Sequence, residues 1–365
     1  MKLSVLQENL DKALTAVSRL VQTTNSLPIL GNILLQTKDG QLELQATNLE
    51  IAIAYKIGAK IETKGSISVP ARLFTELVHS LPNDKIQLSS IKDNLEIHTD
   101  QLNSVINGIN AADFPTIPTL NTKKQFTIST KSLVEALEFV LSSVSLDESR
   151  PILTGVYCKS ESGVCTFAAT DSYRLSQYKI KTPKIDDLEI IIPYKTIQEV
   201  IRIIKTDNLS EITVSITDSE IVFSSENITL TSQLIEGSYP DYTKIIPESH
   251  TTIIGIEKND LVNSLKIASL FSRENANTIS LDIVKNSLSI TSEGTQIGKN
   301  ISKITAKVTG DDQQINLNAR YIIDALTNIN DSVVSIAVQG KLDPCVISSS
   351  KQSADNFHII MPLRS

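Results

Sequence analysis

The sequence predicts an α+β fold of three repeated domains, each with antiparallel sheets and two helices on one face. Three observations lead there. One amphipathic helix is written three times along the 365 residues, short alternating strands joined by tight turns fill the intervals, and several landmarks recur at a common offset.

The helix that closes each repeat is the clearest signal. Residues 69–81 read VPARLFTELVHSL, residues 192–204 read IPYKTIQEVIRII, and residues 317–329 read LNARYIIDALTNI. Aligned without gaps, a basic residue stands third after the opening apolar one (Arg72, Lys195, Arg320) and an acid follows four later (Glu76, Glu199, Asp324). Apolar residues fill the i, i+3, i+4, i+7 positions, which gives one buried helical face. Pro70 and Pro193 are expected in the first helical turn, where no donor is lost, and Asn318 is expected as an N-cap. The copies lie roughly 125 residues apart, a domain length and far beyond a solenoid repeat.

Taken in order, the chain starts with a short strand running into a helix that places Leu10, Ala13, Leu14 and Val17 on one face. Residues 126–145 and 253–271 are its counterparts, with Leu10, Leu133 and Leu261 in register and Leu14, Leu137 and Leu265 likewise. Strands are expected at 33–37, 42–46 and 51–57, separated by the turn-forming pairs Asp39-Gly40 and Thr47-Asn48. The second repeat follows in step. Leu27-Pro28-Ile29-Leu30 is answered by Arg150-Pro151-Ile152-Leu153, and Thr47-Asn48 by Thr170-Asp171. Further strands are expected at 86–90, 95–99, 212–216, 221–224, 228–232 and 333–338, and such close spacing favours antiparallel pairing. Phe114-Pro115 and Tyr239-Pro240 open corresponding exit segments, followed by polar linkers at 121–124 and 248–252. The expected domains are therefore 1–121, 122–248 and 249–365.

Composition narrows the function. Hydrophobic residues make up 41% and charged residues 21%, the balance of an ordinary globular chain, and no apolar run reaches membrane length. The N-terminus offers no signal-peptide core, so an intracellular, cytoplasmic location is expected. Cys158, Cys165 and Cys345 are too few and odd in number for a disulfide framework; Cys158 and Cys165 flank a short turn and could face each other, but buried thiols are expected. The four histidines are far apart, no Cys/His set has metal-ligand spacing, and no glycine loop cradles a phosphate. Neither catalysis nor a cofactor is expected. A net charge of −7 argues against a basic coat, yet leaves room for a basic surface confined to one face.

On a single helix, Arg72, Lys195 or Arg320 would be a solvated residue with an i, i+4 partner worth a few tenths of a kcal/mol. In the same register of three equivalent helices they would form a regular row of positive charge if the domains stand side by side, which suits a sequence-blind phosphate backbone. Arg202 extends that row, and Lys12 and Lys266 add to it from the early helices.

The segments LPILGNILL, VPARLF, AADFPTIP, ATDSYRL, YPDY, NARYIIDAL and IIMPLRS, in that order and spacing, resemble the bacterial DNA polymerase III beta subunit, the sliding-clamp family, over the whole chain. The resemblance implies three DNA-clamp domains and a head-to-tail dimeric ring, with helices lining a hole for duplex DNA and sheets outside. It implies a processivity factor, a homodimer that tethers a replicative polymerase and meets the clamp loader through short peptide motifs. Those peptides would enter a pocket walled by Leu153, Thr170, Ser172, Tyr173, Arg174, Leu175, Pro240 and Ile245. Asn318, Tyr321, Val346, Ile359, Ile360, Met361, Pro362, Leu363 and Arg364 would form its other side. It places Ser104 and Ile106 of one chain beside Leu270 and Phe271 of the next. This chain departs from the best-known members at Ser172-Tyr173, where they carry Gly-His, at Thr24, where some carry Arg, and at Ser365, where an apolar residue is frequent. The competing reading, from another class, is a monomeric three-domain adaptor that binds peptides and never encloses DNA.

Overall fold

The computed structural model describes residues 1–21, 27–117, 124–182, 188–351 and 355–364. Thr24, Ser365 and positions 121–123 of the first expected linker lie outside the described residues. The first repeat runs β1 (Lys2–Leu6), α1 (Gln7–Val17), β2 (Asn32–Lys38), β3 (Gln41–Thr47), β4 (Ile51–Gly58), β5 (Lys60–Thr63), β6 (Ser66–Pro70), α2 (Ala71–His79), β7 (Lys85–Ile91), β8 (Asn94–His98) and β9 (Asn103–Asn107). The second runs β10 (Lys124–Ser129), α3 (Thr130–Leu141), β11 (Gly155–Glu161), β12 (Val164–Thr170), β13 (Arg174–Lys181), β14 (Leu188–Pro193), α4 (Tyr194–Asp207), β15 (Glu211–Ile216), β16 (Glu220–Ser224) and β17 (Ile228–Gln233). The third runs β18 (Thr252–Glu257), α5 (Lys258–Ser272), β19 (Thr278–Val284), β20 (Ser287–Gly294), β21 (Gly298–Thr305), β22 (Lys307–Gly310), β23 (Gln313–Asn318), α6 (Ala319–Thr327), β24 (Val333–Val338), β25 (Cys345–Ser349) and β26 (Phe357–Ile360).

These elements fall into two compact units. Unit 1 holds Met1–Thr130 and Arg202–Leu234; unit 2 holds Lys131–Ile201 and Ile235–Ser365. In unit 1 an eight-stranded sheet, β10-β15-β16-β17-β4-β3-β2-β6, accompanies a five-stranded one, β5-β1-β7-β8-β9. Helix α1 buries Leu10, Ala13, Leu14 and Val17, the face expected from the sequence, and α2 buries Ala71, Phe74 and Val78. Unit 2 has a nine-stranded sheet, β14-β11-β12-β13-β26-β25-β24-β18-β22, and a four-stranded one, β21-β20-β19-β23. There α5 buries Leu261, Leu265 and Ala268, and α6 buries Ala319, Ile322, Ala325 and Leu326.

Each long sheet joins strands from two successive repeats, which is why the compact units cut across the repeats. In unit 1, β4 of the first repeat pairs antiparallel with β17 of the second, Ile51 opposite Ser232. In unit 2, β13 of the second pairs with β26 of the third, Arg174 opposite Ile360. Continuous hydrogen bonding across these seams satisfies backbone groups that would otherwise lie at sheet edges.

Several local expectations meet the structure in instructive ways. Asp39 and Gly40 both take positive φ, 51° and 81°, the geometry of a two-residue hairpin turn, and Ser162 and Gly163 repeat it at 52° and 79°. Asn318 caps α6 as expected, its side-chain oxygen accepting the N–H groups of Arg320 and Tyr321. The two prolines are corrected: Pro70 is the N-cap of α2 and the last residue of β6, and Pro193 ends β14. Both strands are sheet edges, where a missing N–H costs no ladder bond. The second expected linker is shorter than 248–252, because Thr252 is fully buried in β18 opposite both Val338 and Gly310. Lys124 likewise opens β10, opposite Ile216. Cys158 and Cys165 do face each other, with sulfurs 3.3 Å apart, as free buried thiols.

Candidate functional site

The seam between β13 and β26 gathers several of the residues that the resemblance assigns to a pocket. Just before β13, residues 170–175 form a turn made by side-chain to main-chain bonds. Thr170 Oγ1 donates to the Arg174 carbonyl at 2.6 Å and accepts the Ser172 N–H at 3.1 Å, while Asp171 Oδ1 accepts the N–H groups of Tyr173 and Arg174, both at 3.0 Å. Short polar side chains that bond to their own backbone two or three residues on are what this Thr-Asp pair supplies. Ser172 sits at φ 76°, a left-handed conformation that glycine adopts without strain, and its hydroxyl accepts from Arg150 Nη1 at 3.0 Å. Tyr173 projects from the turn, 57% exposed.

Arg174 is the electrostatic centre. Its Nε donates to Asp171 Oδ2 at 2.9 Å and its Nη1 to Asp324 Oδ2 at 2.6 Å, and the guanidinium lies 4.4 Å over the Tyr321 ring. The side chain is only 15% exposed, so the two carboxylates and the aromatic face hold a half-buried cation by charge-assisted bonds and a cation–π contact. Asp324 and Tyr321 lie on α6, which Asn318 caps; the helix start thus places the groups that fix Arg174.

Behind this turn lies an apolar floor. Leu175, Tyr157, Ala168, Ile191, Tyr242, Phe357 and Ile359 form a buried cluster, against which Ile152, Tyr239, Val346 and Met361 pack. Tyr239 Oη accepts the Thr170 N–H at 3.1 Å, and burial pushes its phenol well above the ordinary tyrosine range. The chain end continues past β26 without forming a strand, held by two backbone bonds: Met361 N–H to the Tyr173 carbonyl at 2.9 Å and Leu363 N–H to the Asn316 carbonyl at 2.8 Å. A tail of Met, Pro and Leu is thus fastened beside an apolar cluster on which Met361 packs.

The structure therefore brings together Thr170, Ser172, Tyr173, Arg174, Leu175, Tyr321, Val346, Ile359, Ile360 and Met361 through the seam and the Arg174 contacts. Leu153 and Leu175 are buried, whereas Pro240 and Ile245 are exposed. Asp171, Tyr239 and Asp324 were not singled out from sequence as pocket residues; the recurrence of Thr47-Asn48 as Thr170-Asp171 was the signal available for the first.

The basic residues of the late helices stand exposed: Arg72 on α2, Lys195 and Arg202 on α4, and Arg320 on α6. Arg72 pairs with Glu76 at 2.8 Å in the expected i, i+4 arrangement. Lys266 is exposed on α5. Lys12 differs, because its ammonium sits 2.8 Å from Asp207, which also accepts from Tyr55 Oη, so its charge is largely compensated within unit 1. Of the expected contact residues, Leu270 is exposed and Ser104 and Phe271 are partly buried. Ile106 is 4% exposed and faces its own core, while Val105 on the opposite face of β9 is 60% exposed. Strand alternation turns one neighbour inward when the other faces out.

Comparisons with known proteins agree along the whole chain. Residues 1–118, 127–241 and 243–364 match, in succession, family models for the N-terminal, central and C-terminal domains of the DNA polymerase III beta subunit. The beta sliding clamp of Synechococcus elongatus is 30% identical over 360 residues, covering 95% of each chain, and that of Bacillus subtilis is 28% identical over 379 residues, covering 100% of each. The solved DNA polymerase III beta chain of Streptococcus pneumoniae superposes with a TM-score of 0.96 at 28% identity, covering 100% of both chains. The sliding clamp of Bacillus subtilis gives 0.94 at 27% identity, covering 100% of this chain and 99% of that one. With three successive domain matches and relatives that align from end to end, the chain belongs to the bacterial DNA polymerase III beta subunit family, the beta sliding clamps.

Proposed function

We propose that this chain is a replicative sliding clamp: two copies close head-to-tail around duplex DNA and tether the polymerase and other replication and repair proteins. It is non-catalytic and needs no cofactor. The observation that carries this reading is the end-to-end match to three successive clamp domains, which supports the division into 1–121, 122–248 and 249–365. No described helix is long and apolar enough to cross a membrane, and the place of action is the cytoplasm, on the nucleoid.

Closure is assigned to sheet edges. Strand β9 is the outer strand of the five-stranded sheet and β21 the outer strand of the four-stranded one, so one copy's β9 offers backbone donors and acceptors to the other's β21. Ser104 takes part through the β9 backbone, and Leu270 and Phe271 from the end of α5. Arg72, Lys195, Arg202, Arg320 and Lys266 face the phosphates, with Lys12 a minor contributor because Asp207 already holds it. Contacts to phosphate carry no base information and are screened by salt, which lets the clamp slide while closure prevents escape. Partner peptides dock in the Arg174 groove.

The test is topological. The clamp is loaded on a nicked circular duplex by a clamp loader and followed by gel filtration before and after a restriction enzyme linearises the circle. Retention on the circle with release from the linear form is expected; equal retention on both forms points instead to a peptide-binding adaptor that never encloses DNA.

A further inference from the structure

Unit 1 contains a small, half-open hollow of about 80 Å³ at the β4–β17 seam, the place that corresponds to the Arg174 turn at the β13–β26 seam of unit 2. Its turn, residues 47–52, repeats the 170–175 turn bond for bond. Thr47 Oγ1 donates to the Ile51 carbonyl and accepts the Leu49 N–H, both at 3.0 Å, and Asn48 Oδ1 accepts the N–H groups of Glu50 at 3.1 Å and Ile51 at 2.8 Å. The tail contact recurs too, since Gln233 N–H donates to the Glu50 carbonyl at 2.9 Å as Met361 N–H does to that of Tyr173. Leu49 holds φ 76°, the value at Ser172.

The side chains on this shared backbone differ in a way that specifies an occupant. Leu49 is a bulky residue in the left-handed region, where glycine is most at ease; its backbone is held by the Thr47 hydroxyl and by Gln233 Nε2, while its side chain is 52% exposed and serves no core packing. With Ile51, Pro115 and Ile117 it gives the hollow an apolar lining. Glu50 and Glu220 are the charged residues of that lining, neither forms an ion pair among the described residues, and the lining holds no Lys or Arg. The unit-2 seam differs: its cations Arg174 and Arg150 are already held by Asp171, Asp324 and Asp147, so its charges are compensated within the site.

We propose that the unit-1 hollow is a second docking groove, and that it takes an extended basic peptide with one aliphatic anchor flanked by Lys or Arg. The anchor enters between Leu49, Pro115 and Ile117, and the flanking cations meet Glu50 and Glu220. Charge complementarity favours a basic partner here, because Glu50 and Glu220 attract its cations and repel an acidic peptide, whereas the cations of the unit-2 seam are compensated by its own carboxylates. The comparison rests on reading the unit-2 seam as a peptide groove.

The test uses the full chain and two fluorescein-labelled peptides followed by anisotropy: Gly-Lys-Arg-Leu-Lys-Arg-Gly, and a peptide with a Gln and a Leu-Phe end that reports the Arg174 groove. The basic peptide is expected to bind saturably and to lose at least tenfold in affinity to the Glu50→Lys/Glu220→Lys chain, while the Leu-Phe peptide binds that chain as before. Leu49→Asn, which suits the left-handed conformation, should preserve the fold and still weaken the basic peptide. Replacing the peptide's Leu by Ser without loss of affinity would reduce the effect to diffuse attraction by an acidic chain and overturn the proposal. Unchanged affinity in the charge-reversed chain, or no saturable binding of the basic peptide, overturns it as well. If the Leu-Phe peptide alone fails to bind, the unit-2 reading falls and the unit-1 result still stands on its own titration.

Discussion

The turns at 47–52 and 170–175 share the bonds that their Thr and Asn or Asp side chains make to the turn backbone yet present different chemistry: Leu49, Glu50 and Ile51 in unit 1 against Ser172, Tyr173 and Arg174 in unit 2. The difference teaches where the shape comes from. Thr followed by Asn or Asp satisfies the turn's own backbone groups, so the three residues that follow are free to vary without altering the path of the chain. Unit 1 uses the third position for its core, with Ile51 buried; unit 2 uses it for a cation that ties the turn to α6 through Asp324. The contrast continues along the seam. Leu230 stands opposite Ile53 in unit 1, whereas His358 stands opposite Ser176 in unit 2, 2.6 Å from its hydroxyl, with the imidazole stacked on Phe139 at 3.9 Å.

Making unit 2 resemble unit 1 at the third position should have the largest effect. Arg174→Ile leaves the Asp171 and Asp324 carboxylates without their cation and removes the contact with Tyr321. A loss of about 2–3 kcal/mol is expected, as when one partner of a poorly exposed, hydrogen-bonded charge pair is deleted. Urea titration followed by hydrogen exchange in β13 and β26 measures it, and β4 and β17 of unit 1 should keep their protection. A loss under about 0.5 kcal/mol would class the pairs with ordinary surface ion pairs.

The histidine gives a second, pH-dependent asymmetry. Burial, with the nearby Arg174 charge adding to it, lowers the His358 imidazole to about 3. The folded state therefore keeps it neutral where the unfolded chain, titrating near 6.5, takes up a proton. The unfolded state binds the extra proton below about pH 6.5, so unit 2 loses stability as pH falls from there towards 3, with a slope of up to about 1.4 kcal/mol per pH unit. Unit 1, with leucine at this position, lacks that contribution. Hydrogen exchange at pH 7 and pH 5 should show β26 losing protection ahead of β17, and His358→Leu should remove the difference. Equal loss in both strands would assign acid sensitivity to the carboxylates instead.

Much of this architecture was legible in the sequence because it is local. The buried faces of α1, α2 and α6, the hairpins at Asp39-Gly40 and Ser162-Gly163, and the Asn318 cap each depend on residues a few positions apart. The seams were not legible, since nothing in the periodicity of β4 or β13 says that its next neighbour lies a repeat away. For the same reason the Arg174–Asp324 pair, 150 positions apart, and the Tyr239 hydroxyl beneath Thr170 went unread. Pro70 and Pro193 misled because helix entry and an edge-strand end ask the same thing of the backbone, a fixed φ and no donor. Ile106 was read as a contact residue through resemblance, while strand alternation turns its side chain inward.

That the Leu-Phe peptide enters the groove of unit 2 and not that of unit 1 is tested most directly by removing residues 361–365, of which Met361 and Leu363 are held by the Tyr173 and Asn316 carbonyls. The Leu-Phe peptide is titrated by anisotropy against the intact and shortened chains, with sedimentation of both in parallel. Micromolar binding corresponds to about 8 kcal/mol, and loss of one wall of an anchor site should remove at least 2 of it, roughly a thirtyfold drop, with the dimer unchanged. The basic peptide should bind the shortened chain as tightly as the intact one. Undiminished affinity of the Leu-Phe peptide for the shortened dimer would contradict the assignment of the groove.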